Sequence, residues 1–185
     1  MTENKNLDVI LQALLHAREE RAFTQKFLLD IMGGGCVAQI SLNIPGWPKK
    51  IGGCERALIY GDELFRKELA PLNEIRIAAR VPLSNDAGRA ILYALTRRSG
   101  RNEGAAEQLK IKAITIEESE WGRVLDIDII TRLGQISRAT VGREPRKCLM
   151  CAEDAKICAR KSCHSAEELR AAVSLRLRHV KFPLI

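Results

Sequence analysis

The segment Val124-Leu125-Asp126-Ile127-Asp128-Ile129-Ile130 alternates apolar and acidic side chains with a period of two, a pattern that a helix of 3.6 residues per turn would scatter around its axis. As a β-strand it sends Leu125, Ile127 and Ile129 to one side and both carboxylates to the other. The apolar side has to be covered by a core. The acidic side has to meet water, cationic side chains or a metal ion, because two neighbouring carboxylates repel each other wherever they are even partly desolvated. This one strand commits the chain to a sheet with a packed face and a face that is polar over part of its width.

The rest of the chain supplies elements to pack on such a sheet. Residues 4–32 read as a helix, with Leu7, Leu11, Leu14, Arg18, Arg21, Gln25, Leu28 and Met32 on one face. Arg18 and Arg21 interrupt that face, so either the helix leaves the core there or the two guanidiniums answer an acid or an anion. Gly33-Gly34-Gly35 ends the helix. Ala38, Ile40, Leu42 and Ile44 then alternate with Gln39, Ser41 and Asn43 as a strand, and Pro45-Gly46 turns the chain. A helix follows over residues 54–68, then a strand carrying Ile75, Ile77, Ala79 and Val81 that Pro82 is expected to end.

Ser84, Asn85 or Asp86 can cap a helix reaching Arg98, and residues 99–104 read as a loop. Residues 109–116 alternate like a strand and are expected to pair with 124–130 across a break at Trp121-Gly122, with a further short strand at 136–138. Residues 139–147 are a basic loop, and Ser165 caps a last helix with Glu168 at the capping-box position. The fold class is α+β: a mixed or antiparallel sheet with packed helices and a small Cys-rich helical C-terminal part at about residues 139–185. All of it belongs to one domain, 1–185.

Composition narrows the class. With 46% hydrophobic and 29% charged residues the chain is rich enough in apolar side chains to build a core, and no apolar run approaches the roughly 18 residues of a membrane span. Met1 to Asn6 lack the basic and apolar stretches of an export signal, so the expected location is cytoplasmic and the six cysteines are expected to be reduced. From Arg132 onward there are twelve Lys or Arg against five Asp or Glu, an excess equal to the whole net charge of +7. An anionic partner for the C-terminal part follows: nucleic acid, a polyphosphate or an acidic protein.

Asp126 and Asp128 on one strand face are suited to hold Mg²⁺, which is commonly bound by one or two carboxylates together with substrate phosphates. The plain alternative is the solvated face of an edge strand. Arg138, Arg143, Arg146 and the nearby Arg132 and Lys147 favour the first reading, since a polyphosphate needs guanidinium partners as well as a cation. The chain has no G-x-S-x-G, no phosphate-cradling G-x-x-x-x-G-K-S/T loop and no G-x-G-x-x-G. Cys148, Cys151, Cys158 and His164 could close a tetrahedral Zn²⁺ site, but they could equally be buried reduced thiols beside a phosphate-binding or plain surface histidine. A helix spanning residues 151–160 would hold Cys151 and Cys158 about 10 Å apart along its axis, too far to share one ion.

Taken together, Gly122-Arg123-Val124-Leu125-Asp126-Ile127-Asp128-Ile129, Ser137-Arg138, Pro145-Arg146-Lys147-Cys148-Leu149-Met150-Cys151, Cys158-Ala159-Arg160 and His164 resemble the citrate lyase holo-acyl-carrier-protein synthase family. Members of this family are apo-citrate lyase phosphoribosyl-dephospho-CoA transferases. Arg18-Glu19-Glu20-Arg21 with Gln25 is similar to the family's N-terminal arginine-rich helix, and Asn43-Ile44-Pro45-Gly46 with Lys49 or Lys50 to its post-strand turn. The likeness spans roughly residues 14–175. Leu125 stands where the family suggests an aromatic, and residues 179–185 match no part of the pattern.

The resemblance implies a reaction in which a serine hydroxyl of the acyl-carrier (gamma) subunit of citrate lyase attacks the α-phosphate of 2′-(5″-triphosphoribosyl)-3′-dephospho-CoA and diphosphate leaves. Such an enzyme is formally a nucleotidyltransferase. In that setting Asp126 and Asp128 are the candidate catalytic and Mg²⁺-binding residues, and Arg18, Arg21, Arg138, Arg146, Arg160 and His164 the candidate substrate or phosphate contacts. The Asp-x-Asp strand is also similar to the nucleotidyltransferase fold, although Gly122-Arg123 lies closer to the acids than that fold's Gly-Ser pair does. Two rival readings are a zinc-containing basic nucleic-acid-binding module and a noncatalytic carrier-binding assembly factor. An aromatic content of 4% leaves few stacking platforms for the nucleic-acid reading.

Overall fold

Cys36–Leu42 forms β1 at the centre of the sheet, and its first six residues are buried. A strand covered on both faces has no solvated side, so Gln39 and Ser41 are buried polar residues within it. The computed structural model describes residues 2–32, 35–97, 104–120 and 122–179. Four more strands, β2 (Ile75–Asn85), β3 (Gly88–Arg97), β4 (Leu125–Thr131) and β5 (Gly134–Gln135), flank the first in the order β2-β3-β1-β4-β5, with every neighbouring pair antiparallel. Five α-helices are described: α1 (Thr2–Ile31), α2 (Cys54–Leu69), α3 (Ala105–Glu118), α4 (Ala155–Arg160) and α5 (Ala166–His179).

Alternation along the strands decides which face each helix covers. Ala38 and Ile40 of β1, Ile91, Tyr93 and Leu95 of β3, and Leu125, Ile127 and Ile129 of β4 share one face, on which Leu58, Phe65 and Leu69 of α2 and Leu109, Ala113 and Ile116 of α3 pack. Burying each of the leucine, isoleucine and phenylalanine side chains among them contributes about 1.5–3 kcal/mol. The opposite face carries Val37, Ala90, Leu92 and Ala94, and α1 covers it with Leu28 and Leu29. A third cluster joins Val173 and Leu177 of α5 to Ile44, Ala57, Val124 and Leu149, tying the C-terminal part to the start of β4.

Two glycines set how closely these layers approach. A Cβ on Gly61 of α2 would come within 2.6 Å of Leu125 Cδ2, and one on Gly122 would sit 1.5 Å from the Ile116 carbonyl oxygen. The turn entering β4 can therefore lie against the end of α3 only with glycine at 122. No helix among the described residues is long and apolar enough to cross a membrane.

The α+β class, the long first helix, the central strand, α2, β4 and the capped last helix agree with the sequence reading. The Ser165–Glu168 capping box is formed: Glu168 N–H donates to Ser165 Oγ at 3.1 Å and Ser165 N–H to Glu168 Oε2 at 2.7 Å. Four expectations need correction. The helix expected to run to Arg98 is the strand β3; Asn85-Asp86-Ala87-Gly88 is a hairpin turn, with Gly88 at φ +93°, and Ala90 to Leu95 are buried on both faces. Its unbroken apolar run has no period to distinguish a strand from a helix.

The strand expected over 109–116, and its hairpin with 124–130, is the helix α3, whose Leu109, Ala113 and Ile116 face the core. β2 continues through Pro82 to Asn85, which an outermost strand permits because one side of its backbone needs no sheet partner. The short strand placed at 136–138 is Gly134–Gln135 instead. The breaks at Gly33-Gly34 and Trp121, most of the 99–104 loop, the tail from residue 180 and the side chain of Leu7 lie outside the described residues.

Candidate active site

β4 pairs with β1 so that Asp126 stands opposite Ser41 and Asp128 opposite Gln39. Both acids therefore rise from the same face beside two buried polar neighbours. They open into a cleft of about 460 Å³ that Arg138, Arg143, Arg146 and Lys110 also line. The Asp126 side chain is 48% exposed, so a ligand in the cleft can reach it. Its Oδ1 accepts from Arg146 Nη1 at 3.1 Å, while Arg146 Nη2 donates to the carbonyls of Arg123 and Leu125 at 2.8 and 2.6 Å. Asp128 Oδ1 accepts from Gln135 Nε2. Burial, and then the Asp126 charge, push the Asp128 carboxyl up to about 6 against the pull of Lys110. Two carboxylates side by side on one strand face, one of them half exposed to the cleft, are the oxygen donors that a hard divalent cation such as Mg²⁺ would use.

Lys110 and Glu117 were not singled out in the sequence. β5 pairs only with Ile130 and Thr131, so the outer edge of β4 at Ile127 lacks a strand partner. Glu117 Oε1 accepts the Ile127 N–H at 2.8 Å and Lys110 Nζ donates to the Ile127 carbonyl at 2.8 Å, which satisfies a buried edge with two side chains of α3. Glu117 Oε2 also accepts from Arg138 Nη2 at 2.6 Å, and Arg138 Nη1 reaches Glu118 Oε1 at 2.6 Å. Arg138 is thus held at the cleft by acids of α3. The seven-residue spacing of Lys110 and Glu117 places them on one side of a helix, a signal hidden by the strand-like alternation of this segment.

A group of cations approaches from α1 and the turn after β1. Arg21 Nη2 donates to the carbonyls of Ala87 and Gly88 at 3.0 and 2.6 Å, and its Nε is buried with no partner among the described residues. Burial lowers the Arg21 guanidinium from its ordinary value, and the Asp126 charge is the largest pull in the other direction. Lys49 Nζ donates to the Ile44 carbonyl at 2.6 Å; burial, then Arg18 and Arg170, lower it from its usual range. Arg170 of α5 donates to the carbonyls of Pro45 and Pro48 at 2.9 and 2.7 Å. Arg18 is exposed, and its charge is felt by both Arg21 and Lys49. Of the seam interrupted by arginines, Arg18 faces solvent, Arg21 is half-buried, and Gln25 donates to Gln39 Oε1 at 2.8 Å in the sheet.

The cysteine cluster folds differently from the helix considered above. Asp154 caps α4 by accepting from the Lys156 and Ile157 N–H groups at 2.6 and 3.2 Å, so the helix starts only at Ala155 and the chain doubles back before it. The ligand atoms of Cys148, Cys151, Cys158 and His164 consequently all lie within 4.8 Å of one another. Cys163 is exposed and outside that set. Arg160, in the last turn of α4, is exposed and does not line the cleft of the two aspartates.

Over residues 9–179 the chain matches the family described as apo-citrate lyase phosphoribosyl-dephospho-CoA transferase. It is 32% identical, over 93% of its length and 86% of the relative's, to a protein of Streptococcus pyogenes serotype M18 named probable apo-citrate lyase phosphoribosyl-dephospho-CoA transferase. It is 33% identical over 87% of its length to Protein CitXG of Haemophilus influenzae, of which the match spans 33%. A shorter stretch covering 35% of the chain and 36% of the relative is 41% identical to the apo-citrate lyase phosphoribosyl-dephospho-CoA transferase of Escherichia coli O9:H4.

Proposed function

The chain belongs to the apo-citrate lyase phosphoribosyl-dephospho-CoA transferase family, and on that premise we propose that it attaches the phosphoribosyl-dephospho-CoA prosthetic group to apo-citrate lyase by a nucleotidyl transfer. The acceptor is a serine hydroxyl of the acyl-carrier subunit and the donor is 2′-(5″-triphosphoribosyl)-3′-dephospho-CoA. The serine oxygen forms a bond to the α-phosphorus, the bond from that phosphorus to the bridging oxygen of the departing diphosphate breaks, and the hydroxyl proton leaves to a base. The observation that carries this reading is the pairing of Asp126 and Asp128 on one face of β4, at the mouth of a cleft flanked by guanidiniums.

The chain's own residues divide the work by charge. Asp126 and Asp128 are the residues that would hold Mg²⁺, which would neutralise triphosphate oxygens when bound. Arg146 fixes the orientation of Asp126 through its fork of hydrogen bonds to the carboxylate and two carbonyls of the same strand entry. Arg138, anchored by Glu117 and Glu118, keeps positive charge at the cleft. Arg21 and Lys49 add positive charge from α1 and the turn after β1, Arg21 within electrostatic reach of both aspartates. Next to them, a cleft of about 560 Å³ between the 44–56 segment and the β2–β3 turn has room for the nucleotide end of the donor.

The test is the mass of the acceptor. Apo-carrier subunit incubated with the chain, the triphosphoribosyl donor and Mg²⁺ is expected to gain one phosphoribosyl-dephospho-CoA per molecule, with one diphosphate released. A carrier whose acceptor serine is replaced by alanine should gain nothing. A carrier that binds the chain yet keeps its mass under these conditions would overturn the transferase reading in favour of a carrier-holding role.

A further inference from the structure

We propose that Cys148, Cys151, Cys158 and His164 bind one zinc ion as a closed structural centre, and that this centre sets the position of Arg146 beside Asp126. Three thiolates and an imidazole are a donor set that favours zinc over the hard cations suited to the aspartate pair. Ligand atoms about 2.3 Å from a tetrahedral zinc lie roughly 3.7 Å from one another. Here Cys148 Sγ and Cys158 Sγ are 3.4 Å apart, and all four ligand atoms fall within 4.8 Å, so small side-chain adjustments complete the tetrahedron. A hydrophobic packing of idle thiols does not account for the histidine: His164 Nε2 is buried with no hydrogen-bond partner among the described residues. An orphaned imidazole nitrogen among three sulfurs is costly unless it has a ligand.

The surrounding backbone is shaped for a thiolate centre. Met150 N–H points at Cys148 Sγ at 3.5 Å, Cys148 N–H donates to the Glu153 carbonyl at 2.8 Å, and Cys163 N–H to the Cys158 carbonyl at 3.2 Å. Ser162 adopts φ +49°, a left-handed turn that brings His164 back towards α4. Zinc with three thiolates carries one net negative charge, and Arg123, whose Nη2 donates to the Cys148 carbonyl, lies beside it. With four protein ligands the ion has no open position for substrate, which makes its role structural.

The link to Asp126 runs through short stretches of chain. Arg146 is two residues before Cys148, and its carbonyl accepts from Ala155 N–H, the first residue of α4, at 2.8 Å. Arg123 joins the same assembly from the other side, offering its carbonyl to Arg146 and its guanidinium to Cys148. Fixing Cys148 and Cys158 on one ion therefore fixes both anchors of the Arg146 backbone.

Metal content tests the site without any transferase assay, so its outcome is separate from that of the proposed reaction. Protein purified without chelators should contain about one zinc per chain by elemental mass spectrometry. After zinc is exchanged for Co²⁺, it should show the visible absorption of a tetrahedral thiolate site. Cys163→Ser should retain the metal in full, while Cys158→Ser and His164→Ala should lose it or bind it far more weakly. If those two variants do not fold, thiol labelling of the native parent protein decides: Cys148, Cys151 and Cys158 should resist modification until a chelator is added. A parent protein with negligible zinc and no cobalt spectrum, or equal labelling with and without chelator, would overturn the proposal. A Cys163→Ser variant that loses its zinc would overturn the assignment of ligands.

Discussion

Arg146 does three things with one guanidinium: it holds Asp126 and bonds to two carbonyls at the entrance to β4. Lysine keeps the charge but has no planar fork with which to reproduce that geometry. We expect Arg146→Lys to lower the rate of carrier labelling about tenfold or more, about 1.4 kcal/mol in the barrier, and to lower the unfolding midpoint as well, because the bonds to the Arg123 and Leu125 carbonyls also hold the entrance to β4. Labelling at the parent rate would show that Arg146 only decorates the cleft. At this scale the acid pair was legible in the sequence because a period of two leaves few choices for where Asp126 and Asp128 point. Glu117 and Lys110 were not legible, since their importance comes from a vacant strand edge at Ile127 that exists only once the sheet is assembled.

Among the elements, β4 is positioned by its contact with the end of α3, and Gly122 is the residue that permits it. Gly122→Ala would press a methyl into the Ile116 carbonyl, a clash with backbone that no side-chain rotation relieves. The expected cost exceeds about 3 kcal/mol, above the usual range for overpacking, and should appear as a lower midpoint in urea or as a failure to fold. A variant as stable as the parent would contradict this packing. The misread elements share a cause. Ala90 to Leu95 is a continuous apolar run because β3 is buried on both faces, and residues 109–116 alternate for reasons of helix packing, with Leu109, Ala113 and Ile116 inward. Pattern along the chain reports exposure, and exposure separates helix from strand only where one face meets water. The cysteine cluster was obscured in a similar way. The Asp154 cap shortens α4 and brings Cys151 close to Cys158, whereas spacing alone allowed a longer helix that would have kept them apart.

For the molecule as a whole, the basic C-terminal part packs onto the rest of the protein as far as it is described: α5 packs against Ile44 and Val124, and Arg170 grips the turn after β1. Positive charge from the end of the chain thereby joins Arg18, Arg21 and Lys49 near the cleft. If the acceptor is an acidic carrier, this field should speed encounter. Raising ionic strength towards 1 M, where the screening length falls to about 3 Å, should lower kcat/KM for the carrier while leaving kcat at saturating carrier nearly constant. A salt-insensitive kcat/KM would place carrier recognition on apolar contacts instead.

The central claim is that the two acids of β4 serve the transfer and not the fold. Asp126→Asn and Asp128→Asn should keep the parent circular dichroism, and Asp128→Asn should be no less stable than the parent in Mg²⁺-free buffer, because it removes a half-buried like-charge neighbour. The decisive measurement is the mass of the carrier after incubation with each folded variant, donor and Mg²⁺. The account predicts a carrier that stays in its apo form with both variants; full conversion to the modified mass by both would contradict it.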